Sequence, residues 1–131
     1  MKVLHITNNY PTERYPIFGI FVKEQIDSLS DEGICNQVFF INGRENGKAE
    51  YIKSIYRLRK ILKNNQFDIL HCHHAFSALC LILSGRIREY KSIISYQSNP
   101  NNEHGGKIFK IIRANFNAII LKNNLPFNDN K

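Results

Sequence analysis

Three cysteines in 131 residues, with neither a CxxC pair nor a finger spacing among them, leave no disulfide framework and no structural zinc motif. Cys35, Cys72 and Cys80 read instead as reduced thiols, two of them in the core. Long apolar runs are also missing. The most apolar, Ala78–Leu83, falls far short of the ~20 residues a membrane-crossing helix needs. No basic segment leads into an apolar one at the amino terminus, so no export signal is expected. No GxGxxG follows the first apolar run, which argues against a nicotinamide enzyme. Acidic residues are scarce, 11 against 18 Lys and Arg, for a net charge of +7. An anionic partner is expected, and basicity alone does not choose among a membrane surface, nucleic acid and a phosphorylated substrate. Nucleic acid is disfavoured: the basic residues lack interleaved exposed aromatics, and no recognition helix or stacking sheet is legible.

What the chain does have is alternation. A hydrophobic fraction of 43% suits one globular domain with a real core. Val3, Leu4 and Ile6, interleaved with His5 and Thr7, make a β-prone run that stops at Asn8-Asn9. After a loop with Pro11 and Pro16, Phe18, Phe21, Val22, Ile26 and Leu29 recur at helical spacing, and Gly33 is placed to cap that helix. Residues 37–41 read as a strand, and 49–64 as an amphipathic helix with a seam of Tyr51, Ile55, Leu58 and Leu62. Lys53, Arg57 and Lys60 share its opposite face. Strand 67–73, helix 75–83, strand 92–96, helix 107–116 and strand 118–121 follow, then a polar, asparagine-rich tail. Five predicted strands separated by four predicted helices give an α/β, Rossmann-like doubly wound parallel sheet with helices on both faces. The domain is expected over 1–122, with 123–131 a polar tail or truncated linker.

Right-handed crossovers place every strand's carboxyl end on one edge, where ligands of such sheets bind. Three junctions, Asn8–Gly19, His71–His74 and Tyr96–Gly106, are therefore expected to meet. They bring together Asn8, Asn9, His71, His73, His74, Gln97, Asn99 and Glu103, with Gly19, Gly105 and Gly106. Helix amino termini aimed at the same cleft favour a phosphate, diphosphate or polyhydroxylated ligand. His71 and His73 form an H-x-H pair on one strand face, whereas Cys72 and His74 point the other way. No third ligand is evident, so no metal is expected. His5 reads as a satisfied core histidine.

The segments HITNNYPTE, FGIFVKEQIDSL, FFINGR, YIKSIYRLRKILK, FDILHCHHAFSAL and ISYQSNPNNE, in this order and spacing, resemble the amino-terminal domain of family-four glycosyltransferases, retaining enzymes of the two-domain GT-B architecture. The resemblance reaches to about Lys122. It implies an enzyme transferring a sugar from a nucleotide-sugar donor to a polysaccharide or lipid-linked glycan, without cofactor or metal. By the resemblance, Phe18-Gly19 matches the loop that approaches the donor diphosphate, and His71 and His73 match a histidine-rich strand end. Gln97 stands where many members place a histidine near the transferred sugar. A glutamine donates hydrogen bonds but does not titrate, so its implied role is positioning. The resulting site is Gln97 and His73 as positioning groups at the reacting centre, with Asn9, Phe18, Gly19, His71, Asn99 and Glu103 binding acceptor or donor phosphate. The family's carboxyl-terminal domain, which binds the donor with a pair of glutamates eight residues apart, is expected to be absent. Glu24 and Glu32 share that spacing but are read as solvated helix charges. The fragment alone is expected to be inactive. Location is expected to be cytoplasmic, peripheral at the inner membrane face through Lys53, Arg57 and Lys60 and through Lys107, Lys110 and Arg113. The alternatives are a stand-alone flavodoxin-like binding or signalling module and a truncated, non-functional product. Asn8-Asn9 and His71-Cys72-His73 lack the acidic cluster and strand-end aspartate that phosphorelay needs.

Overall fold

The computed structural model describes residues 1–96 and 105–121. Gln97, Asn99, Glu103 and the 123–131 tail lie outside the described residues. The elements are β1 (Lys2–Thr7), α1 (Ile20–Asp31), β2 (Cys35–Phe40), a single-turn α2 (Gly43–Asn46), α3 (Ala49–Asn64) and β3 (Ile69–His73). Then come α4 (Ala75–Leu83), a 3-10 turn (Ile87–Glu89), β4 (Lys91–Tyr96), α5 (Gly106–Asn115) and β5 (Ala118–Leu121). All five strands are parallel, in the order β2-β1-β3-β4-β5. The chain reverses direction across the sheet between β1 and β3, which puts a crevice beyond their carboxyl ends.

One crossover leads outward from β1 to β2 and three lead the other way, so right-handedness sends α1 to one face and α3, α4 and α5 to the other. Strand register sorts the side chains accordingly. Leu4, Ile6, Phe39, Leu70, Cys72, Ile94 and Tyr96 pack with Leu58, Leu62, Ala78, Leu81 and Ile112 into the main core. The opposite face carries His5, Thr7, His71, His73 and Ser95, and this polar row is itself buried.

Helix α3 spans the residues its apolar period predicted. Its Tyr51 and Ile55 are only half-buried, and Glu50 and Ser54 lie deeper because Arg57 reaches back to bond both. In α1 the predicted stripe is corrected at two positions, the first being Phe18, which lies before the helix begins. Val22 and Ile26 are buried, but Phe21 is 69% exposed, because the helix starts only at Ile20 and Phe21 sits on its outer side. Gly33 caps α1 with φ +89, as expected. Cys72 and Cys80 are in the core and Cys35 is exposed.

Candidate functional site

The carboxyl edge is built around the tip of β1. Thr7 Oγ1 accepts from Asn9 N at 3.0 Å and donates to Asn9 O at 2.9 Å, so a threonine hydroxyl closes the turn that the asparagines were expected to make. The loop beyond it returns to the same spot. At Gly19, φ is +72, and an added Cβ would stand 2.5 Å from Asn9 O and Tyr10 N and closer still to Asn9 C. Glycine is required here twice over, for the left-handed backbone and for contact with the β1 tip. The loop is also pinned to the start of the β2–α3 connection. Thr12 Oγ1 donates to Glu45 Oε1 at 2.8 Å, and Asn42 Nδ2 donates to Glu45 Oε2 at 2.9 Å; these bonds hold the Glu45 carboxyl below its ordinary range. Arg44 lies 4.4 Å from the Tyr15 ring centre and 4.3 Å from that of Phe18. Phe18 thus serves as a platform for an exposed guanidinium that has no ion pair among the described residues. In sequence Arg44 closes the segment FFINGR; only the fold seats it beside the first loop.

Asn8, the last residue before the turn, donates from Nδ2 to Tyr51 Oη at 3.2 Å. Its Oδ1 is buried with no hydrogen-bond partner among the described residues. Turning the amide over would only exchange which atom lacks one, since the tyrosine hydroxyl can donate or accept. An unsatisfied buried amide atom costs about 1–3 kcal/mol unless water or another group meets it.

Behind the edge, on the α1 face, runs a chain of imidazoles. Asn36 Nδ2 donates to Ser30 Oγ (2.8 Å) and Ile34 O (3.1 Å), which turns its Oδ1 towards His5 Nε2 at 2.8 Å. His5 therefore carries its proton on Nε2, and Nδ1 accepts from His73 Nε2 at 3.1 Å. His71 Nε2 bonds Ser95 Oγ at 2.6 Å, and its ring stacks on His73 with centres 4.2 Å apart. Burial pushes the His5 pKa below 6.5, against an opposing contribution from the Asn36 hydrogen bond. His5 is the satisfied core histidine expected. It also supplies the third imidazole that the H-x-H pair lacked in sequence, because register sets β1 beside β3.

Ring nitrogens of His5, His71 and His73 lie within 4.8 Å of one another, close enough to be drawn onto one zinc-type ion. The surroundings weigh against it. The His5 Nδ1 lone pair already accepts the His73 proton, the row contributes no carboxylate, and an uncompensated dication in a dry interior costs several kcal/mol. The arrangement works as a hydrogen-bonded brace across β2, β1 and β3.

His73 is 0% exposed and His71 nearly so; they form the floor under the edge rather than its lip. The lip residue is His74, at φ 76 and ψ 157, a conformation otherwise left to glycine. Its backbone is held from both sides: its N–H donates to Ser95 O at 3.2 Å, and Ser77 Oγ donates to His73 O at 2.6 Å and His74 O at 2.8 Å. Strain of this kind, about 1–3 kcal/mol, concentrates at functional junctions. No sequence signal could have marked it. Asn9, Phe18, Gly19, His71 and His73 are thus brought to one end of the sheet. Gln97, Asn99 and Glu103 follow β4 in sequence but lie outside the described residues.

Among the described residues no helix is long and apolar enough to cross a membrane. Comparison with the curated proteins and with the solved structures finds no match. A family model described as glycosyl transferase 4-like matches residues 19–124, most of the chain and nearly all of the sheet after β1. With that match and a five-stranded parallel Rossmann-like sheet, the chain belongs to the glycosyl transferase 4-like family and is a domain of the amino-terminal, glycosyltransferase type.

Proposed function

We propose that this domain forms the acceptor side of a retaining glycosyltransferase that moves a sugar from a nucleotide-sugar donor to a polysaccharide or lipid-linked glycan. The observation that carries the reading is the carboxyl edge itself. An unsatisfied Asn8 amide, the strained His74 junction and the Arg44 guanidinium on its two aromatic rings all stand at the end of the sheet where α/β folds bind ligands. Each has a chemical task. Asn8 and His74 hydrogen-bond acceptor hydroxyls. Arg44 and the amino terminus of α1 behind Gly19 stabilise the departing diphosphate, which carries most of the charge developed in transfer. The His5–His73 chain holds the floor rigid, so that donor and acceptor meet in a reactive orientation. Gln97 positions the transferred sugar, and Asn99 and Glu103 complete the acceptor contacts. The nucleotide is held mainly by a second domain, and no metal or cofactor takes part.

The test is isothermal titration of the 131-residue chain with nucleoside diphosphates, nucleotide sugars and a panel of glycans. Asn8→Ala should abolish glycan binding, and Arg44→Ala should weaken diphosphate binding at least tenfold, with melting temperatures unchanged. Efficient turnover of a nucleotide sugar by the isolated chain would sink the proposed division between two domains. Ligand binding insensitive to both substitutions would move the site elsewhere.

A further inference from the structure

The single turn α2 touches the first loop twice. Arg44 lays its guanidinium against the Tyr15 and Phe18 rings, and its neighbour Glu45 accepts from the Thr12 hydroxyl at 2.8 Å. Among the described residues this is the one side-chain hydrogen bond that ties residues 10–18 to another element. The same threonine oxygen accepts from Tyr15 N at 3.1 Å. Tyr15 O in turn accepts from Thr12 N at 3.2 Å and from Phe18 N at 3.3 Å. Both rings that hold Arg44 therefore hang on the turn that Thr12 fastens. Glu45 is fixed from its other side as well. Asn42 caps α2: its Oδ1 accepts from Glu45 N at 3.3 Å, and its Nδ2 donates to Glu45 Oε2 at 2.9 Å. Gly43 seats the turn from below, because the Tyr51 ring stands where a Cβ would be.

From this arrangement we infer that Glu45 and Thr12 are positioning residues, which clasp the first loop to α2 and keep Arg44 aimed at the ligand edge. This rests on the reading of Arg44 as a diphosphate contact and names what aims that contact. An arginine has many rotamers, and an anion that must first order them binds more weakly than one that meets a guanidinium already placed. Simple electrostatics points the opposite way. Glu45 is an exposed carboxylate beside Arg44 in the chain, and its charge repels an incoming diphosphate. The bonds from Thr12 and Asn42, helped by the charge of Arg14, hold its carboxyl below the ordinary range, so both acceptor oxygens stay charged at neutral pH. Removing that charge strengthens anion binding if Glu45 is only a surface acid, and weakens it if Glu45 is the clasp.

The measurements are isothermal titration of the chain with inorganic pyrophosphate and the NMR signals of the Arg44 side chain, which the Tyr15 and Phe18 rings displace. Glu45→Ala should weaken pyrophosphate binding at least about fivefold although it removes a negative charge. Thr12→Val, which leaves the charge in place, should do the same and shift the Arg44 signals towards those of an exposed arginine. Thr12→Ser keeps the hydroxyl and should restore both within about twofold. Melting curves establish that each variant folds. Tighter binding by Glu45→Ala overturns the clasp. So do Arg44 signals unmoved by Thr12→Val, and a loss in Thr12→Ser equal to that in Thr12→Val. Pyrophosphate binding that is absent, or indifferent to Arg44→Ala, overturns instead the diphosphate role proposed above; the Arg44 signals then decide the clasp by themselves.

Discussion

Replacing Gly19 with alanine asks whether that glycine serves packing or only the close approach of a phosphate. A left-handed backbone costs an alanine about 1–2 kcal/mol. The new methyl must also displace the Asn9–Tyr10 peptide by about 1 Å to restore van der Waals contact, and over-packing of that kind costs about 1–3 kcal/mol. The sum is about 2–5 kcal/mol. At about 2.1 cal/mol/K per residue, a chain of 131 residues has an unfolding entropy near 0.28 kcal/mol/K, so the expected fall in Tm is roughly 7–18 °C. Gly33→Ala is the matched control. Its φ of +89 is equally left-handed, but the added Cβ meets nothing within 4 Å, so it should lose only the backbone part, roughly 4–7 °C. Thermal melts by circular dichroism, with urea titrations to show an unchanged m-value, measure both. Equal losses in the two variants would refute the packing argument. An undiminished Tm at Gly19→Ala together with lost diphosphate binding would return this glycine to ligand approach alone.

Three further outcomes are expected. Because burial holds the His5 pKa below 6.5, the native chain refuses a proton that the unfolded chain accepts. Stability is therefore level above about pH 6.5 and declines below it by up to about 1.4 kcal/mol per pH unit until the folded pKa is reached. Urea unfolding between pH 7.5 and 5 should show this slope, and His5→Asn should flatten it; stability rising towards pH 5.5 would contradict the sign. A thiol reagent at pH 8 should label one cysteine quickly, Cys35, since Cys72 is held far above its ordinary pKa by burial and Cys80 is raised to about 11. Three fast thiols would place the α4 core in doubt. His74→Gly should relieve more backbone strain than glycine's added freedom costs, leaving Tm level or a few degrees higher while glycan binding falls. A drop of more than about 5 °C would mean that the side chain supports the fold.

The helix over 49–64, the Gly33 cap and the alternation of strands with helices follow from spacing along the chain, so the sequence by itself determined the fold class and the edge on which the strands' carboxyl ends lie. Those features depend on residues a few positions apart, and period and turn chemistry carry them. The rest depended on neighbours distant in sequence. His5 meets His73 because register lays β1 against β3, and Asn36 fixes the His5 proton from the strand on the other side. Gly19 touches Asn9, ten positions earlier in the chain, only after the loop between them has closed. Arg44 finds Phe18 across two connections, His74 is forced into a glycine-like conformation by hydrogen bonds to Ser77 and Ser95, and Phe21 turns outward where helical period alone would bury it. Only the tertiary structure decided these, because crossover and register fix which residues become neighbours, and neither is written in any local run of residues.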